Sequence, residues 1–271
     1  MKIFKDKQSL QKVLFKDKKV SFIPTMGSLH RGHLSLIKKS IKYKRKVLVS
    51  IFVNPKQFNI KSDFKNYPRN IDSDIKKLSK FNVDYLYLPS TKDIYGFKVK
   101  KKIFLDKFKK VLCGKYRKGH FRGVVDVVNR FLEIIKPKFI FLGLKDFQQL
   151  YLIKKHILKN RIKTKVVECK IIREKNGLVY SSRNVHLNKK QIKIASNIYK
   201  FLSNLKKKLR KKYTFPKKNI LRKIILDLGA NKIDYIESYN IKTLKFNKTS
   251  NKNFKIFIAY YIKKVRLIDN I

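Results

Sequence analysis

Cysteine is scarce in this chain, and its two copies, Cys113 and Cys169, stand alone without a C-x-x-C spacing. Neither a disulfide framework nor a zinc knuckle is indicated, and a reducing cytoplasm fits. Long apolar runs are missing too: the best, VLVSIFV at 47–53, is far shorter than the roughly 20 residues that cross a bilayer. The first twenty residues are broken every few positions by lysine, so they lack the uninterrupted apolar stretch of a secretory signal. The chain is therefore expected to be soluble. No internal repeat or Gly/Ser-rich linker is visible, and acidic residues are few, 17 Asp+Glu against 70 Lys+Arg for a net charge of +53.

What is present is enough to build a core. With 43% hydrophobic and 13% aromatic residues over 271 positions, disorder is excluded and one large domain or two are expected. The positive charge invites a nucleic-acid reading, since clustered cations neutralise phosphates. Here the lysines are dispersed along the whole chain among abundant Ile, Asn, Phe and Tyr, the mix that A+T-biased coding produces. A solvated basic surface is the plainer reading, with non-specific adhesion to polyanions at low salt and no specific nucleic acid as partner.

The first half alternates strand-like runs, VSFI (20–23), VLVSIFV (47–53), DYLYL (84–88) and FIFL (139–142), with helix-length segments such as 33–44, 71–80 and 124–135. That rhythm implies a parallel sheet, a Rossmann-like α/β domain over 1–176. Pro24, Pro55 and Pro89 follow three of the runs, and each strand is expected to end there because proline donates nothing to a ladder. Ligands of open α/β sheets bind at the carboxyl ends of strands, so chemistry is expected after these prolines. Beyond a joint near 176–188 the pattern changes to helices at 189–212 and 217–228 and strands at 234–238 and 254–262, a smaller α+β domain over 177–271 that is expected to cover the active site.

The most specific local signal is IPTMGSLHRGHLSLI, a strand, a turn at Gly27, then His30 and His33 opening an apolar-periodic helix. Residues three apart share a helix face. Gly32 between them lets backbone N–H groups approach a ligand, and a helix N-terminus with two imidazoles is an anion site. Two histidines that merely cap or pack are the structural alternative. A metal role lacks a third ligand.

PTMGSLHRGH resembles the H-x-G-H signature of the nucleotidyltransferase superfamily, and its flanks resemble the pantothenate synthetase (pantoate–β-alanine ligase) family. SIFVNPKQF (50–58), YPR (67–69), GHFRGV (119–124), GLKDFQQL (143–150), SSRN (181–184) and RLIDN (266–270) resemble that family's motifs in order and spacing, across nearly the whole chain. The resemblance implies ATP-dependent condensation of (R)-pantoate with β-alanine through a pantoyl adenylate, with Mg²⁺ accompanying the triphosphate, and a cytoplasmic homodimer. It assigns the ATP site to Met26, Gly27, Ser28, Leu29, His30, Arg31, Gly32, His33, Gly143, Leu144, Lys145, Asp146, Ile172, Tyr180, Ser181, Ser182 and Arg183. Gln57 and Gln149 fall to pantoate, with Gln57 also near β-alanine.

Residue chemistry agrees independently. Carboxylate attack on the α-phosphorus builds negative charge that needs donors and cations rather than a protein nucleophile, and His30, His33, Lys145 and Arg183 are such groups. Amides such as Gln57 and Gln149 suit a hydroxy acid's oxygens, whereas the neighbouring Gln148 reads as a surface or capping amide. Ser181, Ser182 and Arg183, after strand-like GLVYS, suit a triphosphate, the favoured reading, and a serine cap for the following helix is a structural alternative that does not exclude it. Arg117, His120 and Arg122 among glycines read as a mobile cationic loop able to close over the nucleotide. Asp72 and Asp74 suit magnesium or helix capping alike, so metal ligands stay unassigned. The chain departs from the family's pattern at Leu144 and Cys113, where the family usually carries Glu. Two other functions stay open: a nucleotidyltransferase that releases its nucleotide adduct, and a basic nucleic-acid-binding protein on the same fold.

Overall fold

The chain opens on a short strand, β1 (Lys2–Phe4), and a helix, α1 (Lys7–Lys16). Then come β2 (Val20–Thr25), α2 (Arg31–Ile41), β3 (Lys46–Ile51), two helices α3 (Lys61–Lys65) and α4 (Ile71–Leu78), and β4 (Tyr85–Tyr87). Helices α5 (Thr91–Tyr95), α6 (Cys113–Tyr116) and α7 (His120–Ile135) precede β5 (Phe139–Gly143), α8 (Phe147–Lys159) and β6 (Lys165–Cys169). The remainder holds α9 (Lys189–Lys211), α10 (Lys218–Asp227) and strands β7 (Lys232–Asn240), β8 (Phe254–Ile262) and β9 (Val265–Asn270). This computed structural model describes residues 1–17, 19–211, 214–247 and 253–271; the last position of the helix expected over 189–212 lies outside them.

Strands β1 to β6 form one parallel sheet in the order β1-β4-β3-β2-β5-β6. The chain steps outward from β2 through β3 to β4, then returns to the other side of β2 to place β5 and β6. The reversal between β2 and β5 is a topological switch point, where a crevice opens at the strands' carboxyl ends. The sheet is covered on both faces, which is why its strands read as near-continuous apolar runs. On one face Ile23, Val47, Val49, Ile51, Leu86 and Phe141 pack with Leu36 and Ile37 of α2 and Leu78 of α4. On the other, Phe131 of α7 meets the rings of Phe22, Phe52 and Tyr87 at 5.3, 6.3 and 6.2 Å. Helix α7 stops where Lys136 turns left-handed (φ +49°) and returns its N–H to Leu132, with Pro137 next.

One sequence expectation fails here. Strand β2 does not end before Pro24 but runs through it, pairing Pro24 with Ser50 of β3. The Thr25 carbonyl accepts from Phe52 on the β3 side, so by alternation Pro24's missing N–H faces β5, whose pairing with β2 has already stopped at Phe22. Proline costs the ladder nothing there. Strands β1, β6 and β9 are additions to the sequence reading, and GLVYS forms no strand, only an isolated bridge between Arg173 and Val179.

The chain divides into two compact units, Met1–Lys110 with Arg117–Ile172, and Val111–Tyr116 with Arg173–Ile271. The break therefore lies after Ile172 rather than 176. Segment Val111–Tyr116 goes with the second unit because Cys113 Sγ meets Tyr235 OH at 3.0 Å and Tyr116 packs on the Tyr235 ring. That unit is an antiparallel sheet, β7-β8-β9, whose apolar side packs with α9 and α10 through residues such as Ile198, Leu202, Leu221 and Ile225. Arg173 and Asp269 tie its start to its last strand by two bonds of 2.6 and 2.8 Å.

Candidate active site

The turn after β2 is shaped from behind. Gly27 (φ +79°) and Ser28 (φ +50°) are both left-handed, and only the glycine adopts that conformation without strain. Asp74, 1% exposed on α4, accepts the Ser28 and Leu29 N–H groups at 2.7 Å each. Lys77, one turn on, donates to the Leu29 carbonyl at 2.8 Å. Two unsatisfied buried N–H groups would otherwise cost about 1–3 kcal/mol each. Asp74 thus does not cap α4, whose N-cap is Asn70; each of its oxygens accepts a backbone N–H of the turn after β2 instead.

His30 is the N-cap of α2 and His33 its third residue, and they form a reciprocal capping box. His30 Nδ1 accepts from Gly32 N–H at 3.1 Å, and His33 Nδ1 accepts from His30 N–H at 3.4 Å. Their rings stack with centroids 4.0 Å apart. Burial, then the charge of Lys145, pulls His30 down to about 4; burial, then His30 and Lys145, pulls His33 well below the usual histidine range. Both rings are neutral near neutrality. A neutral imidazole whose Nδ1 accepts must carry its proton on Nε2, so the pair offers two Nε2–H donors beside the first turn of a helix.

The same shifts fix a pH dependence. The unfolded chain protonates these histidines below about 6.5, whereas the folded chain resists until about 4 at His30 and at the buried His156, and His33 is held well below its usual range. The unfolded state then binds more protons, so the stability they contribute is intact above 6.5 and is lost as pH falls toward 4. Urea midpoints measured at about pH 7 and about pH 5 are expected to fall on acidification. A flat profile would contradict the assigned protonation.

Across the switch point, β5 ends at Gly143 and a 3₁₀ turn, Leu144–Asp146, follows. Lys145 lies within 3.5 Å of Asp146, and both act on His30 electrostatically, as Lys145 does on His33. A Cβ added at Gly143 would meet nothing within 4 Å, so the backbone there is open to a ligand. Gln149 stands half-buried in the first turn of α8. Gln148, expected at the surface, is buried and donates to Phe108 O at 2.7 Å, because α8 turns that side inward.

On the other side of β2, the turn after β3 is the 3₁₀ helix Pro55–Gln57, with Asn54 as N-cap. Gln57 is buried, and its Nε2 points at Met26 Sδ. Its carbonyl accepts from His120 Nδ1 at 2.8 Å, while Arg117 donates to His120 Nε2 at 3.0 Å. A carbonyl only accepts and a guanidinium only donates, so His120 carries its proton on Nδ1. Of the expected cationic loop only Arg117 lies between the two helices; His120 opens α7 and Arg122 lies inside it.

Met26 to His33, Gln57, Gly143 to Asp146 and Gln149 thus gather at the carboxyl ends of β2, β3 and β5 in the first unit, which also ends on Ile172. Tyr180, Ser181, Ser182 and Arg183 belong to the second unit. There Ser181 caps a 3₁₀ turn, Ser182–His186, by accepting from Arg183 N–H at 3.3 Å, whereas the start of the following helix, α9, is tied by Asn188 and Gln191 rather than by a serine. Sequence reasoning missed Asn54, Asp74's true role and Tyr95. Asn before Pro is a helix-start signal that marks Asn54; nothing local marks Tyr95.

Residues 2–271 match the family model described as pantoate-beta-alanine ligase. The chain belongs to that family. It is 40% identical over 269 residues to the pantothenate synthetase of Flavobacterium psychrophilum, covering 98% of this chain and 95% of the relative. A pantoate-beta-alanine ligase structure from Francisella tularensis, complexed with beta-gamma ATP and beta-alanine, is 39% identical at a TM-score of 0.85 over 100% of this chain and 97% of the other. A pantothenate synthetase structure from Thermus thermophilus is 30% identical at a TM-score of 0.91, covering 100% and 99%. As a pantoate–β-alanine ligase, the chain is an ATP-dependent ligase of pantothenate biosynthesis.

Proposed function

We propose that the switch point of the first unit binds ATP and (R)-pantoate and condenses the acid with β-alanine in two displacements. The pantoate carboxylate attacks the α-phosphorus, the P–O bond to pyrophosphate breaks, and pantoyl adenylate forms. The β-alanine amine then attacks the acyl carbon, loses a proton, and expels AMP as the amide forms. The observation that carries this reading is the neutral, stacked His30–His33 pair, with both Nδ1 atoms held by backbone N–H groups and Lys145's charge acting on both. Its Nε2–H donors suit phosphoryl oxygens whose charge grows as pyrophosphate leaves.

Met26 to His33 and Gly143 to Asp146 would cradle the nucleotide, with Ser181, Ser182, Arg183, Tyr180 and Ile172 added on the family resemblance. Gln57 and Gln149 would hold pantoate, Gln57 also lying near β-alanine. The residues fit a magnesium ion carried by the phosphates and water rather than caged by protein. Among the described residues no three His, Cys, Asp or Glu converge. Asp74 is engaged by two N–H groups, and Asp146 is a carboxylate whose charge acts on His30. Bound there, the ion would neutralise charge on the triphosphate. A homodimer and a cytoplasmic setting accompany this reading on the resemblance alone.

Incubated with ATP, Mg²⁺, pantoate and β-alanine, the purified chain is expected to yield AMP and amide in equal amounts. A stable nucleotidyl product persisting with the amine present would instead favour a transferase that releases its adduct.

A further inference from the structure

Asn54 is 1% exposed and uses its whole carboxamide. Its Oδ1 accepts from Lys56 N–H at 3.2 Å and from the Tyr95 hydroxyl at 2.7 Å. Its Nδ2 donates to Gly123 O at 3.1 Å and to Gln57 Oε1 at 3.2 Å. Four partners for two lone pairs and two protons leave the amide one orientation. Gln57 must then turn its oxygen toward Asn54 and its NH₂ away, toward Met26.

Tyr95, the last residue of α5, makes the shortest of the bonds that set this polarity, and it is fixed by its own surroundings. Lys56 Nζ lies 3.8 Å and the Arg130 guanidinium 4.8 Å from its ring centroid. Asp126 pairs with Arg130 at 2.9 Å, and Arg130 donates to the Ile94 and Phe97 carbonyls on either side of Tyr95 at 3.1 and 2.9 Å. Burial, and then Asp126, pushes the phenol's titration upward, so the hydroxyl remains a donor throughout the working range.

We propose that Tyr95 is a positioning residue for the acid substrate: through Asn54 it holds Gln57 with its NH₂ turned toward Met26, the side on which the proposed function seats the acid, and so selects a hydrogen-bond-accepting oxygen of a hydroxy acid there. The proposal rests on the reading above that Gln57 faces pantoate. A flipped Gln57 would present a carbonyl oxygen to a carboxylate, so polarity here is specificity.

The test is Tyr95→Phe, which keeps the ring and its cations and deletes the bond to Asn54. The KM for pantoate is expected to rise about tenfold, the scale of one lost buried hydrogen bond, with the KM for ATP unchanged and kcat within about twofold. Equal rises in both KM values, or an unchanged pantoate KM, would overturn the relay. A nitrogen-resolved NMR spectrum of the side-chain amides tests it without turnover. The Asn54 and Gln57 NH₂ signals are expected to lose exchange protection in Tyr95→Phe, and unaltered protection overturns the relay. If those signals respond but no pantoate is consumed by the unsubstituted chain, the relay stands and the functional reading fails.

Discussion

His33→Ala is expected to lower kcat by about 10²–10³, the usual cost of one donor aimed at charge that develops in the transition state. The tautomer is the reason. His33 Nδ1 is committed to His30 N–H, so deleting the ring removes an Nε2–H donor and also unties one half of the capping box. The second loss is a stability effect of about 0.5–2 kcal/mol, the range for helix caps. His33→Gln separates the two, because a glutamine at the third helical position restores the bond to the cap N–H without restoring the imidazole. It should regain most of the thermal midpoint and little of the turnover. If the contact tightens only as pyrophosphate departs, kcat and kcat/KM for ATP fall together. Full turnover in a folded His33→Ala protein would remove the histidine pair from the mechanism.

How far the sequence could anticipate this depends on whether the deciding interaction is local. The H-x-G-H turn is legible because its partners lie within three residues: His30 bonds Gly32, and His33 bonds His30. The buried strands are legible because a sheet covered on both faces demands continuous apolar runs. Pro24 misled because a proline's cost depends on which neighbour its missing N–H faces, and that is decided by β5, far along the chain. Asp74 looked like a cap or a metal ligand; its work is on Ser28 and Leu29, 46 and 45 residues earlier. Tyr95 sits in a short helix with no motif, and only the fold brings it to Asn54, 41 positions back. Short strands such as β1, with three residues, carry too little periodicity to be read at all.

Gly123→Ala is expected to have the second largest effect, and it acts on the acid's side of the site. A Cβ at this position would stand 2.2 Å from Lys56 O, 2.5 Å from Lys56 C and 2.8 Å from Gln57 N. All three are backbone atoms, so no rotamer change relieves the clash. Helix α7 is packed against the sheet through Phe131, and the turn Pro55–Gln57 is the smaller body, so the turn is the part that yields. Moving it strains the Asn54–Gly123 and His120–Gln57 bonds together and displaces the Gln57 carboxamide. Overpacking of this kind costs about 1–3 kcal/mol, about 2–12 °C in thermal midpoint for a chain of this length. A shift near 1 Å in a substrate-positioning group costs about 10² in rate. The expected signature is therefore a loss of about 10² in kcat/KM for pantoate, with the KM for ATP nearly unchanged because His30, His33 and Lys145 are not touched. Gly119→Ala provides the comparison: its φ of +78° makes any side chain strained, yet a Cβ there meets nothing within 4 Å. It should lose about 1–2 kcal/mol of stability and keep its response to pantoate. Should the two variants lose pantoate turnover to the same extent, the effect belongs to helix α7's stability and not to the close approach that seats Gln57.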